Sequence, residues 1–203
     1  MSLQLGETAP DFTLDSTQGP IHLSDYVRGH WVVFFSHPKD FTPVCTTELG
    51  AFARRKAEFD QRKTKLLGLS VDPVGEHNKW VKDVADVGGA PVTYPIVADP
   101  DLKVAKLYGM LPADAGETCE GRTAADNATV RNVYVIGPDK KIKLVLSYPM
   151  STGRNFDEVL RVLDSIQLTA KHKVATPANW EHGQDVIILT SVSDAEAKQQ
   201  YPD

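Results

Sequence analysis

Five consecutive residues, Trp31-Val32-Val33-Phe34-Phe35, are apolar, and the run stops at Ser36. Side chains of a strand point alternately to its two faces, so a strand apolar at every position needs cover on both. A chain carrying such a strand must place a sheet in its middle and pack further elements against each side of it. "KLLGLSVD", Lys65 to Asp72, repeats the pattern and reads as a second buried strand. Between the two, "PVCTTELGAFARRKAEFDQRK" reads as one helix, with Leu49, Phe52, Lys56 and Phe59 at helical spacing. Only Lys56 breaks that stripe, and its stem can lie along apolar surface.

The same reading extends in both directions. "DFTLDSTQGPIHL" alternates around Gln18-Gly19-Pro20 and predicts a hairpin. "GEHNKWVKDVADV" predicts a helix, "PIVAD" a short strand, and "PDLKVAKLYG" a short helix closed by Gly109. "RNVYVIGPDKKIKLVLSY" is a second hairpin around Gly137-Pro138-Asp139, and "NFDEVLRVLDSIQLTAKH" is an amphipathic helix with Phe156, Val159, Leu160 and Leu163 on one stripe. The order, βαβα, then a hairpin, then a helix, fits an α/β fold: a central mixed β-sheet flanked by helices. From about Thr176 the character changes. One apolar run, Val186 to Leu189, lies in polar surroundings too short to own a core. We assign residues 1–170 to the main domain and 171–203 to a C-terminal arm that packs on that domain or on a second subunit.

The chain has 203 residues and a formal net charge of -5, which argues against a dedicated nucleic-acid surface. No apolar stretch is long enough for a membrane span, and "MSLQLGETAPDF" lacks the basic flank and apolar core of a secretory signal, so a cytoplasmic location is expected. Two cysteines make no disulfide framework, and each is either an inert core residue or a reactive thiol.

Cys45 has the better claim to reactivity. In "FFSHPKDFTPVCTTE" a polar loop leaves the central strand and a helix begins. Thr42 suits the N-cap and Pro43 the first helical position, which makes Cys45 the third helical residue. Backbone N–H groups of a first turn have no intrahelical acceptor, and the helix dipole adds positive potential, so a thiolate is favoured there. Cys45, Leu49 and Phe52 share the inward face, which predicts a recessed thiol. Glu48 alone would disfavour a thiolate, so a cation must accompany it, and the later arginines are the candidates. The spacing around Cys45 excludes a C-x-x-C redox pair, and a structural zinc site lacks its ligands, so neither metal nor cofactor is implied.

At these residues the chain resembles the peroxiredoxins, whose signature Pro-x-x-x-Thr-x-x-Cys is here Pro38, Thr42 and Cys45. The resemblance continues through "GLSVD", "RNVYVIGPDKKIKL" and "YPMSTGRNFDEVLRVLDSIQLTAKHKVATPANW" into the arm. His37 and the "TGRNFDE…VATPANW" segment are similar to the one-cysteine branch. The resemblance implies a thioredoxin-like fold and a thiol-dependent peroxidase that reduces hydrogen peroxide and organic hydroperoxides through a cysteine sulfenic acid, in antioxidant defence. It implies that Cys45 is the peroxidatic cysteine, that Thr42 hydrogen-bonds the bound peroxide and that Pro38 shields the thiolate from water. It further implies that Arg131 supports the thiolate and polarises the peroxide, that Glu48 and Arg154 complete the network, and that His37 lies nearby in a less settled role.

Two departures matter. Cys119, in the polar "ADAGETCEGRTAADN", reads as incidental, and no cysteine follows it where two-cysteine members carry a resolving residue. Turnover should therefore need an external thiol: glutathione, a glutaredoxin or thioredoxin. Animal one-cysteine members add a phospholipase serine, but His30 occupies that place here, so that activity is not carried over. The rival classes are a cysteine hydrolase, which needs an oriented His and Asn or Asp, and a redox sensor or holdase using the same cysteine. The family also implies a homodimer with exchanged arms, or a higher ring of such dimers.

Overall fold

The computed structural model describes residues 3–113, 115 and 128–201. Two short antiparallel strands open the chain, β1 (Thr13–Leu14) and β2 (Ile21–His22), followed by α1 (Leu23–Val27). The core elements are β3 (Trp31–Ser36), α2 (Pro43–Arg54), α3 (Lys56–Gln61), β4 (Thr64–Ser70), α4 (Val74–Gly88), β5 (Ile96–Ala98), α5 (Lys103–Leu107), β6 (Arg131–Ile136) and β7 (Ile142–Tyr148). Then come α6 (Phe156–Lys171), β8 (Val174–Ala175), β9 (Ile187–Ile188) and α7 (Asp194–Gln200).

Five strands form the main sheet in the order β5-β4-β3-β6-β7, with β3 at its centre. β3 and β4 run parallel, as do β4 and β5, while β6 lies antiparallel to β3 and β7 antiparallel to β6. The sheet is therefore mixed, and the architecture is thioredoxin-like. The both-sided apolar run has the cover it requires. Val32 and Phe34 join a core with Leu23, Val27, Val104 and Tyr108, which brings α1 and α5 to one face. On the other face Phe35 stacks on Phe52 of α2 at 4.0 Å between ring centroids, and Tyr94 meets both rings edge-on.

The single helix expected over Pro43–Lys63 is two. Arg55 leaves helical geometry with φ -92 and ψ 4, and α3 starts again at Lys56. Phe59 is fully buried with its ring 5.9 Å from that of Phe52. The stripe read from the sequence is thus buried at Leu49, Phe52 and Phe59, but across a break. α2 also crosses α4 at backbone contact, because a Cβ on Gly50 would lie 2.7 Å from the Gly88 Cα. Arg54 Nη1 donates to the Gly88 carbonyl at 2.6 Å and fastens the crossing.

The chain divides into two compact units, Met1–Arg154 and Asn155–Asp203, and α6 lies in the second. In the second unit Asn155 caps α6 by accepting from the Asp157 and Glu158 backbone N–H groups. β8 and β9 pair antiparallel, and Ser193 and Glu196 form a capping box at the start of α7. Cys119 lies outside the described residues.

Candidate active site

Cys45 sits at the third position of α2, with Pro43 at the first, and is completely buried beside Leu49 and Phe52 on the inward face. Thr42 stands at the N-cap with extended backbone, but its side chain does not cap. Its Oγ1 donates instead to the Lys39 carbonyl at 3.0 Å. The Thr42 carbonyl accepts from both the N–H and the Oγ1 of Thr46, at 2.9 and 2.8 Å. Thr46 Oγ1 in turn accepts from Trp80 Nε1 at 3.2 Å, which ties the first turn to α4.

The chain folds two arginines onto this turn from far along the sequence. Arg131 opens β6, which pairs directly with β3, and its Nη1 lies 3.4 Å from Cys45 Sγ and 2.5 Å from Glu48 Oε2. Its Nε donates to the Met150 carbonyl at 2.9 Å. Arg154 clasps Glu48 with three donors: its backbone N–H and Nε reach Oε1 at 2.8 and 3.0 Å, and Nη2 reaches Oε2 at 2.8 Å. Its remaining nitrogen, Nη1, donates to the Ser36 and Asn132 carbonyls, and the guanidinium lies over Phe35 and Phe52. Burial alone would push the Glu48 carboxyl up. The charges and hydrogen bonds of Arg154, with the charge of Arg131, outweigh that and hold it below the usual carboxylate range. Two buried guanidinium cations thus share one carboxylate, and one of them, Arg131, also stands beside Cys45 Sγ.

Of the residues singled out from the sequence, Cys45, Glu48, Arg131 and Arg154 meet in one hydrogen-bonded cluster. Pro38 is buried in the loop that leads to α2, and Thr42 closes that loop. His37 joins a second cluster: its Nε2 bonds Asp40 Oδ1 at 2.7 Å, and Asp40 Oδ2 meets His77 Nδ1 of α4 at 2.5 Å. Asp40 and His77 escaped the sequence reading. His77, Trp80 and Val84 are all buried on one stripe of α4, so a histidine at an apolar helical position was the readable sign. His37, Asp40 and His77 bring three potential metal ligands within 4.8 Å of one another. Metal-bound histidines donate their other ring N–H to a fixed acceptor. Here the outer nitrogens, His37 Nδ1 and His77 Nε2, have no partner among the described residues, so the cluster fits a hydrogen-bonded carboxylate better than a cation.

A buried thiol on a helix first turn, backed by a guanidinium in a thioredoxin-like sheet, places the protein among the thiol peroxidases. The AhpC/TSA family matches residues 5–145, and the C-terminal domain of 1-Cys peroxiredoxin matches residues 165–203. A probable 1-Cys peroxiredoxin of Syntrichia ruralis is 51% identical over 98% of this chain and 89% of its own. Among solved structures, a cysteine-to-serine mutant of the peroxiredoxin 6 of Arenicola marina superposes with a TM-score of 0.91 at 45% identity, covering 100% of this chain and 90% of that one. The yeast mitochondrial 1-Cys peroxiredoxin, solved to explain thiol resolution through glutathione and thioredoxin systems, gives 0.88 at 46% identity, covering 99% and 93%. The chain belongs to the 1-Cys peroxiredoxins.

Proposed function

We propose that Cys45 is the thiol that attacks the hydroperoxide and that Arg131, Glu48, Arg154, Thr42 and Pro38 prepare it. The observation that carries this is the Arg131 guanidinium 3.4 Å from Cys45 Sγ, held in place by Glu48. The thiolate attacks the terminal hydroperoxide oxygen. An S–O bond forms, the O–O bond breaks, and the departing oxygen leaves as an anion that takes up a proton. Charge grows on that oxygen in the transition state, and a guanidinium that keeps its charge at any working pH stabilises it. Thr42 Oγ1, with its O–H directed at the Lys39 carbonyl, is left as an acceptor for the hydroperoxide O–H. Glu48 serves as the holder of both arginines and not as a base. Pro38, buried and without an N–H, keeps the loop beside the thiol closed to water.

The product is a sulfenic acid at Cys45. An external thiol then attacks that sulfur, water leaves, and a second thiol releases Cys45 from the mixed disulfide. A low-molecular-weight or thioredoxin-class thiol fits this step, in keeping with the resolution chemistry described for the yeast relative. The test is peroxide consumption with glutathione or thioredoxin as reductant. Cys45→Ser is expected to abolish it and Cys119→Ser to retain it. The reverse outcome, or a Cys45–Cys119 disulfide in peptide maps of the peroxide-treated protein, overturns the assignment.

A further inference from the structure

The chemistry above leaves one buried cluster unused, and the inference it carries rests on that chemistry. Asp40 lies midway between Pro38 and Thr42 and is 2% exposed, while His37 and His77 are fully buried. Its carboxylate receives one bond from each imidazole, and its backbone N–H donates to Asp72 Oδ2 at 2.9 Å. Ser70 Oγ holds the same Asp72 oxygen at 2.8 Å. The backbone of His37 is fixed as well: its N–H donates to the Leu69 carbonyl at 3.0 Å, and its own carbonyl accepts from Thr129 Oγ1 at 2.8 Å. Phe41, the next residue after Asp40, has φ 56. A bulky side chain keeps that left-handed conformation only where its surroundings impose it.

An ionised carboxylate can only accept, so the ring nitrogen facing it must carry hydrogen in both histidines. That places a hydrogen on His37 Nε2 and on His77 Nδ1. The bond from α4 therefore reaches the peroxide-binding loop through Asp40, at the residue between the two that the reaction uses.

We propose that Asp40 and His77 are positioning residues of the peroxidase reaction. The bridging carboxylate locks the His37 ring and the Pro38–Thr42 backbone to α4, and so fixes the Thr42 acceptor and the Pro38 ring relative to Cys45. His77 acts through Asp40 and not on the sulfur. Its loss should slow attack on peroxide, which needs that geometry, more than attack on an alkylating agent, which needs only the thiol.

His77→Leu removes the donor, and His77→Asn returns an N–H at the place of Nδ1. The oxidation rate of Cys45 by hydrogen peroxide, its alkylation rate by iodoacetamide and the melting temperature are measured for both. One lost buried charge-assisted bond predicts a peroxide rate lower by about tenfold or more in His77→Leu, against an alkylation rate changed by about twofold or less, with most of the deficit recovered in His77→Asn. A purely structural role would lower the melting temperature and leave the ratio of the two rates unchanged. An unchanged ratio in His77→Leu, or no recovery in His77→Asn, overturns the proposal. If His77→Leu does not fold, nitrogen-15 spectra of the wild-type histidines decide. Hydrogen on His37 Nε2 and His77 Nδ1 supports the array, and a bare nitrogen facing Asp40 in either ring refutes it. If the wild-type thiol does not react with peroxide at all, the peroxidase assignment itself fails, and the spectra still judge the array.

Discussion

Replacing Glu48 with glutamine keeps the volume of the side chain and removes one charge from the cluster around Cys45. In the native protein Oε2 accepts from Arg131 Nη1 at 2.5 Å and Arg154 Nη2 at 2.8 Å, while Oε1 accepts from the Nε and backbone N–H of Arg154. The amide group must face one pair of donors with donors of its own, so two charge-assisted bonds are lost, at about 1.5–3 kcal/mol each. Leaving a buried cation unpaired costs about 3–5 kcal/mol in comparable cases, and for a chain of this size that lowers the melting temperature by about 10 °C. The charge count gives a sharper expectation. Without Glu48, a Cys45 thiolate would be the anion left beside the Arg131 guanidinium among the described residues, so Cys45→Ser should destabilise the Glu48→Gln protein more than it destabilises the native one. The assay is urea unfolding of the four proteins at neutral pH under reducing conditions, read as a double-mutant cycle. A coupling larger than about 0.5 kcal/mol is expected. Additive effects would refute a thiolate share in the charge balance, and a Glu48→Gln protein within about 1 kcal/mol of native would refute the clamp itself.

Arg131→Met removes the cation beside the sulfur, and peroxide reduction is expected to slow by about 10² or more, as when an oxyanion donor is lost. Stopped-flow oxidation of Cys45 measures it, and an unchanged rate would sink the role given to Arg131. Burial alone would raise the Asp40 carboxyl, but hydrogen bonds from His37 and His77 bring it down to about 2. A lowered carboxyl contributes stability that is complete above its unfolded value of about 3.9 and is lost as pH falls through about 2, here about 2 kcal/mol. The stability gap between native protein and Asp40→Asn should therefore narrow as pH drops below about 4, and a gap independent of pH would contradict the ionised bridge. In the arm, Ile187 and Leu189 are 55% and 41% exposed, and covering such side chains is worth about 1 kcal/mol or more each. We expect at least a homodimer at low micromolar concentration by light scattering, and monomer or aggregate after deletion of residues 176–203. A clean full-length monomer would refute it.

What could be read along the chain depended on the range of the interactions. The central strand was legible because alternation makes a both-sided apolar run need cover on two faces, and β3 has it. The helical position of Cys45 was legible because Thr42 and Pro43 follow local rules for a helix start, although the Thr42 hydroxyl bonds Lys39 and not the helix. The break at Arg55 was not, because the apolar stripe keeps its spacing through Lys56. That Glu48 needs a cation was legible, but which arginines supply it came only from the likeness to a family, since the residues that reach it lie 83 and 106 positions away. The same distance hid His77 from Asp40, 37 positions apart.

The sequence by itself determined where the strands and helices form, apart from the break at Arg55, which face of each is apolar, and that one thiol opens a helix. Those properties depend on neighbours within a turn or two of chain. The tertiary structure alone decided which charges meet that thiol. Pairing β6 with β3 carries Arg131 to Cys45, and the end of the first compact unit carries Arg154 to Glu48. Buried ions are stable only with partners at hydrogen-bond distance, and those partners are chosen by strand order and helix crossing, which no local pattern records.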